Sequence, residues 1–315
     1  MVEMADEVKA YSDEICALAE EHDEIVLLVA DMTKPYFLMP MVEKLGRRFI
    51  NTGVAEQNLM GISAGLATCG KRPYAHTYTP FAVLRACEQV RDDIAYTEQR
   101  VVIAGMCSGI NMGTGGSTHQ ATEDIGILRA MPHMVIMTPA DARESAKIAR
   151  ASYEIDHDGP IFIRMGRYPT PVVYREDYAW EFGKGVTVRE GKDLTLIATG
   201  HMVYPALEAA KILEKEGIDA RLIDIHTIKP IDPEIIAKAA AETGAIVTAE
   251  EHNVLGGFGA AVSEVVVQEC PVPVEMVGIR DLWCSVGPTE EMYEKFELSE
   301  PYIAEAARKV LKRKK

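Results

Sequence analysis

Basic residues are in short supply: 33 Lys and Arg stand against 48 Asp and Glu in 315 residues, a formal charge of −15. A surplus of that sign repels a polyanion and excludes the broad positive face that binds nucleic acid. Long apolar runs are missing too. No stretch reaches the about 18 consecutive apolar residues of a membrane-crossing helix, so no membrane partner is expected. The acidic opening from Met1 to Asp13 has neither the basic nor the apolar zone of a secretory signal, and the expected location is cytoplasmic. The six cysteines, Cys16, Cys69, Cys87, Cys107, Cys270 and Cys284, are scattered without a C-x-x-C pair. They signal neither a zinc site nor a disulfide framework and read as idle or buried thiols. There is no Gly-Lys-Ser/Thr phosphate loop and no Gly-x-Gly-x-x-Gly in a strand-to-helix turn, which argues against P-loop and nicotinamide-binding folds.

What is present is an ordinary globular composition, 48% apolar and 26% charged, at a length that suits two domains. Short aliphatic runs alternate with helical patterns, as in a parallel sheet buried on both faces. The first 24 residues carry nine acids and one base, with Val8, Ile15, Leu18 and Ala19 at near-helical spacing, and predict an amphipathic helix. Strands are expected at Ile25 to Ala30, Arg48 to Asn51, Val101 to Ala104, Met134 to Met137 and Ile161 to Arg164. Helices are expected from Val54 to Cys69, from Phe81 to Thr97 and through Arg150. Between Tyr168 and Lys192, Pro169, Pro171, Gly183, Gly185 and Gly191 lie among mixed charges and read as a linker. The rhythm then restarts, with strands at Leu194 to Ala198, Ala220 to Asp224 and Ala245 to Ala249, and helices at Val203 to Glu216 and Glu234 to Ala241. The expected organisation is two α/β domains in tandem, residues 1–175 and a smaller 193–315, joined by 176–192. The basic tail from Arg308 to Lys315 suits the solvated end of a helix, where the dipole favours cations.

Three segments are polar or glycine-rich where a plain sheet protein is not. In Asn51-Thr52-Gly53-Val54-Ala55-Glu56-Gln57-Asn58, Glu56 is placed in the first turn of a helix otherwise almost without charge. It reads either as a catalytic carboxylate or as an acid stabilised by the helix N-terminus. Gly61 and Gly65 leave a flat strip on the same helix for another backbone to approach. In His76-Thr77-Tyr78-Thr79-Pro80-Phe81, two aromatics three apart lead into a helix in a chain only 7% aromatic. They read as a stacking platform for a flat ring or as core. The third segment runs from Gly109 to Gln120, a loop with glycines at 109, 113, 115 and 116 that ends in His119-Gln120. Its glycines point to close backbone approach to a ligand or partner, and His119 reads as a catalyst or a surface residue.

In this order the segments resemble the transketolase family of thiamine diphosphate enzymes. The match is carried by Gly53 to Asn58, Tyr78 to Phe81, Gly116 to Gln120, Leu128 to Pro132 with Thr138 to Asp141, and Gly159-Pro160 followed by Arg164 and Arg167. Thr199-Gly200, Thr227 to Asp232 and Glu250-Glu251-His252 extend it into the second half. The resemblance implies a pyrimidine-binding domain with a mainly parallel sheet, then a smaller C-terminal domain of transketolase type. The family's diphosphate-binding domain, with its Gly-Asp-Gly start and later Asn, is not in this sequence. The chain therefore looks like the C-terminal subunit of a split transketolase, active with an N-terminal partner subunit. The implied assembly is a two-fold dimer of such pairs, a heterotetramer, with Gly61 and Gly65 at the two-fold contact.

By the same resemblance Glu56 hydrogen-bonds the pyrimidine N1′ of thiamine diphosphate, which lets the aminopyrimidine take the thiazolium C2 proton. Phe81 stacks on the aminopyrimidine and Tyr78 lines the same pocket. His119 contacts substrate hydroxyls at the reacting carbon, and Arg164 and Arg167 bind the phosphate of a sugar phosphate substrate. Mg2+ or Ca2+ falls mainly to the partner subunit, with no metal ligand in this chain. The implied reaction transfers a two-carbon ketol unit from a ketose to an aldose. Two family positions for substrate contacts are changed, an Asp to Gly115 and a His to Cys107, which implies an altered sugar. The rival readings are a 1-deoxyxylulose-5-phosphate synthase-like chain, a 2-oxoacid dehydrogenase β-like subunit and a noncatalytic regulatory subunit.

Overall fold

The computed structural model describes residues 2–175 and 177–314; Met1, Glu176 and Lys315, expected at the chain start, in the linker and in the basic tail, lie outside the described residues. The first helix, Glu7–Glu21, starts where the Asp6 carboxylate accepts the Lys9 N–H at 3.0 Å. It buries Val8, Tyr11, Ile15 and Leu18, and lies beside the Ala142–Glu154 helix, whose Ser145 hydroxyl donates to the Glu7 carbonyl at 2.8 Å.

Behind that pair lies a seven-stranded sheet. Phe49–Asn51, Ile25–Val29, Arg72–Tyr78, Val102–Met106, Ile161–Arg164 and Val135–Met137 run parallel in that spatial order. The aliphatic runs Ile25–Val29, Val102–Met106 and Ile161–Arg164 are buried at every position, as strands covered on both faces must be. The seventh strand, Thr227–Lys229, comes from the second half of the chain and adds antiparallel beside Val135–Met137.

A second sheet has the order Val274–Ile279, Ile246–Asn253, Leu194–Ala198 and Ala220–Asp224, all parallel, with Val186–Arg189 antiparallel at its edge. That edge strand falls inside the expected linker 176–192. Four residues among glycines give too short a pattern to announce a strand, and its place is set by pairing with Ala220–Asp224. The expected helix from Phe81 to Thr97 is also modified. It is wound wide at Phe81–Arg85 and Gln89–Ala95, with Ala86 N–H bonding the Phe81 carbonyl at 3.2 Å and Tyr96 N–H the Arg91 carbonyl at 2.8 Å, five residues apart.

The two sheets share one apolar core, in which Ile136 and Phe162 of the first meet Ile223, Ile225, Ile236 and Phe258 of the second half. Ionic contacts cross the same seam. His201 Nε2 lies 2.7 Å from the Glu7 carboxylate and its Nδ1 lies 3.4 Å from Glu251. Burial alone pushes this imidazole down, but the two carboxylates outweigh burial and hold it at about 10, against 6.5 unperturbed. A cation whose folded value is raised stabilises the fold fully below pH 6.5 and loses that contribution as the pH rises through 10. Urea unfolding midpoints are therefore expected to fall between pH 7 and about 10.5, and His201→Gln should flatten this alkaline fall. An unchanged slope in the variant would place the titration elsewhere.

Candidate active site

Open parallel sheets offer their ligand crevice at the carboxyl ends of the strands. Tyr78 ends the Arg72–Tyr78 strand, Phe81 follows it, and Arg167 lies three residues past the Ile161–Arg164 strand. Glu56 opens the Glu56–Thr68 helix, with Ala55 at the cap and no side-chain capping bond. Its carboxylate is 2% exposed, and one oxygen accepts from Arg85 Nη1 at 2.7 Å. The other oxygen has no partner among the described residues. Arg85 is half-exposed and also lies over the Phe81 ring, 4.2 Å from its centroid.

Three rings meet above this pair. Tyr78 and Phe81 are 5.9 Å apart, Tyr78 and His119 5.8 Å, and Phe81 and His119 5.2 Å between centroids, the two His119 contacts edge-on. Arg167 Nη1 donates to the Tyr78 hydroxyl at 2.8 Å. Burial pushes the Tyr78 phenol up although Arg167 pulls the other way. The sequence-predicted residues Tyr78, Phe81, His119 and Arg167 thus form one cluster, with Glu56 tied to it through Arg85. The sequence reading misses Arg85; its one signal is a place four residues after Phe81, the spacing at which a cation on a helical turn returns to the same face.

Arg164 departs from expectation. It is 6% exposed, and its guanidinium meets Asp124 at 2.7 and 3.3 Å and the Glu251 and Ala121 carbonyls at 2.9 and 3.3 Å. Its Nε and Nη2 donors are committed inside the domain seam, which leaves Nη1 alone for the phosphate expected from sequence. The reason lies in the strand: Arg164 continues the buried run Ile161-Phe162-Ile163, and a cation there requires a buried counter-ion.

The glycine loop is held by the second half of the chain. Gly109 has φ +62°, and a Cβ there would stand 2.3 Å from the Glu251 side chain. Next to it the Ile110 N–H donates to Glu251 Oε1 at 2.6 Å, and Gln120 Nε2 donates to the Ser285 carbonyl at 3.1 Å. The close approach read from the glycines is, at Gly109, to Glu251. Cys107 is fully buried with its sulfur 3.4 Å from Met112 Sδ, and burial pushes the thiol up to about 12.

Residues 3–171 match the family model for the transketolase pyrimidine-binding domain, and residues 183–303 match that for the transketolase C-terminal domain. The chain belongs to the transketolase family. A 6-deoxy-6-sulfo-D-fructose transketolase subunit from Clostridium sp. (strain MSTE9) is 40% identical over 96% of this chain and 94% of that one. An apulose-4-phosphate transketolase subunit from Phocaeicola vulgatus is 39% identical over 97% of each. A 1-deoxy-D-xylulose-5-phosphate synthase from Trichormus variabilis is 36% identical over 94% of this chain but only 47% of its own length. Among solved structures, a split gene transketolase described as an inactive β4 tetramer superposes with a TM-score of 0.90 at 42% identity, covering 98% of each chain. Transketolase from Leishmania mexicana shares the fold, with a TM-score of 0.79 at 22% identity, over all of this chain and 46% of that one.

In this transketolase chain the two arginines three residues apart separate cleanly by experiment. Removing one partner of a buried ion pair costs about 3–5 kcal/mol. Arg164→Gln should show that loss in chemical denaturation, whereas Arg167→Gln should unfold within about 1 kcal/mol of the parent. Equal effects would mean that Arg164 carries no buried pair.

Proposed function

We propose that this chain is the pyrimidine-binding subunit of a cytoplasmic, thiamine diphosphate-dependent transketolase that moves a two-carbon ketol unit from a ketose to an aldose. The observation that carries the reading is Glu56, a buried carboxylate with one oxygen fixed by Arg85 and the other unpartnered among the described residues, next to the Phe81 ring. That pairing suits an aminopyrimidine, which needs a carboxyl group at N1′ and an aromatic face to lie on. When bound, the cofactor supplies the carbon nucleophile that cleaves the ketose C2–C3 bond. Glu56 holds the proton at N1′, and Arg85 fixes its orientation. Phe81 offers the stacking face, Tyr78 closes the pocket wall, and His119 faces the substrate carbons. His119 Nδ1 is 2.9 Å from the Thr118 hydroxyl, which orients the ring and leaves Nε2 for a substrate oxygen.

For the substrate, Arg167 and Lys34 share a cleft of about 380 Å³ with one carboxylate, Asp6, and with Phe37, Met106, Tyr168 and Pro169. We assign the anionic end of the sugar to these two cations, in place of the Arg164–Arg167 pair expected from sequence. The names of the relatives suit such a site, one a sulfo sugar and the other a sugar phosphate. Gly115 packs against Met112, and Cys107 is sealed beside the same side chain, so neither offers a polar group to a substrate hydroxyl. The diphosphate and its Mg2+ or Ca2+ are assigned mainly to an N-terminal partner subunit. Exposed apolar side chains flank the site at Val54, Leu84, Phe37 and Met39, a surface suited to burial under that partner. The Gly61–Gly65 strip has nothing within 4 Å of a built Cβ, which suits the close two-fold contact of a heterotetramer.

With the partner present, Glu56→Gln should lower kcat by about 10²–10⁴-fold while the cofactor still binds. Unchanged turnover would leave the noncatalytic reading standing, and carbon dioxide release from pyruvate would favour the synthase-like one. Arg167→Gln removes a charged hydrogen bond worth about 1.5–3 kcal/mol, which should raise KM for a phosphorylated or sulfonated ketose about 10- to 150-fold with a smaller change in kcat. Lys34→Ala should raise KM in the same sense. A kcat loss without a KM change in either variant would move the anion site elsewhere.

A further inference from the structure

Away from the Glu56–Phe81–His119 cluster, the seam between the two halves encloses a cavity of about 510 Å³. The size is that of a small-molecule site, for which about 300–1,000 Å³ is usual. Glu56, Tyr78, Phe81, His119, Arg167 and Lys34 do not line it, although Tyr168 and Pro169 are walls both of this cavity and of the Arg167–Lys34 cleft.

Its walls have one chemical character. Pro169, Pro171 and Pro205 and the rings of Tyr168 and Tyr204 supply flat, apolar faces from both halves of the chain. Flat rings and prolines favour a planar ligand body over a branched one. Two polar groups on buried residues of the wall are left over. Thr170 is 6% exposed and its hydroxyl has no hydrogen-bond partner among the described residues. A buried hydroxyl without a partner costs free energy that a ligand atom recovers. Asn111, 5% exposed, commits its amide oxygen to the Arg167 and Tyr168 N–H groups at 2.6 and 3.3 Å, and its amide nitrogen has no partner among the described residues.

Charge narrows the class further. The charged group set into the wall is His201, and both of its nitrogens are taken, by Glu7 at 2.7 Å and Glu251 at 3.4 Å. A cationic ligand meets an imidazolium there. An anionic one must pass the exposed Glu290 carboxylate on the rim and then finds both imidazole nitrogens taken by Glu7 and Glu251, which are not among the lining residues and so leave the His201 ring as the charge a ligand touches. A neutral molecule meets neither penalty.

We propose that this seam cavity is a second ligand site, for a neutral, planar aromatic molecule bearing a carbonyl or hydroxyl group that bonds Asn111 and Thr170. The site does not rest on the transketolase reading, since none of the side chains given a role in the reaction lines it. It does adjoin that chemistry, because the carboxamide of Asn111 that faces the cavity also holds the Arg167 backbone.

The test uses the full chain with three isosteric probes, benzamide, benzoate and benzylamine, followed by ligand-observed saturation-transfer NMR and isothermal titration. Benzamide should bind at least about 10-fold tighter than either charged probe. Thr170→Val removes the hydroxyl with little change of shape and should weaken benzyl alcohol about 2- to 10-fold while leaving toluene unchanged. Pro205→Trp, at a half-buried wall position, should abolish binding of all neutral probes by filling the space, with folding checked by circular dichroism. Glu56→Gln, in the other cluster, should leave benzamide binding unaltered, which separates this site from the cofactor site. The proposal is overturned if benzamide does not bind, if benzoate or benzylamine binds better, or if Pro205→Trp binds as the parent does.

Discussion

Glu251 stands where the two halves of the chain are fastened, and the geometry of the candidate site hangs on it. Its carboxylate accepts the Ile110 N–H at the root of the glycine loop and faces His201, while its carbonyl accepts from Arg164. Through Asp124 and Glu7 this becomes a buried set that takes in Arg164 and His201, with His252 next to Asp124 and Glu250 next to His252. Burying so many charges is costly, and pairing them does little better than return the cost. What such a cluster adds is position: each charged side chain faces an opposite charge, although Glu7 Oε2 has no hydrogen-bond partner among the described residues, and displacement leaves a charge unpaired in the interior. His119 lies ten residues beyond Gly109 on the loop so held, in contact with Tyr78 and Phe81, and the Ser117 and Gln120 side chains on either side of it donate to the Cys284 and Ser285 carbonyls. The second half of the chain thus holds the loop that carries His119.

The site itself is built from the same matching of partners. Glu56 comes at a helix start that has no side-chain cap, buried, with Arg85 as its counter-ion. Arg85 reaches it from the wide-wound Phe81–Arg85 segment, at whose other end Phe81 lies under the same guanidinium. The arginine that orients the carboxylate and the ring that offers a stacking face are therefore coupled by one irregular turn. Arg167 and Tyr78 form the matching pair on the other side, where the hydrogen bond fixes the phenol and leaves the remaining guanidinium donors toward the Lys34 cleft.

Much of this was legible in the sequence because its signals were local. Unbroken aliphatic runs marked the buried strands, and the acid-rich amphipathic pattern marked the first helix. The order of Glu56, Tyr78, Phe81, His119 and Arg167 marked the cluster. What was not legible depended on distant pairing. Thr227–Lys229 is a strand only because Val135–Met137 offers an edge, and Val186–Arg189 only because Ala220–Asp224 does. Arg85 carried a weak sign, its fourfold spacing from Phe81, which an ordinary solvent-facing arginine also shows.

The two arginines make the physical distinction sharpest. Arg164 and Arg167 look interchangeable as anion-binding groups, yet the strand ends between them. Arg164 still belongs to the buried ladder, where it pairs with Gly105 of the neighbouring strand, and a charge in that layer must be neutralised from within. Three residues later the chain has passed the sheet edge, and Arg167 keeps donors for something outside. An arginine at the end of an apolar strand is thus a demand for a counter-ion, and here Asp124 meets it. One beyond the end is a donor still seeking an acceptor. By that rule the seam charges hold the fold, and the cations lining the cleft, Arg167 and Lys34, are the ones for which the substrate role is proposed.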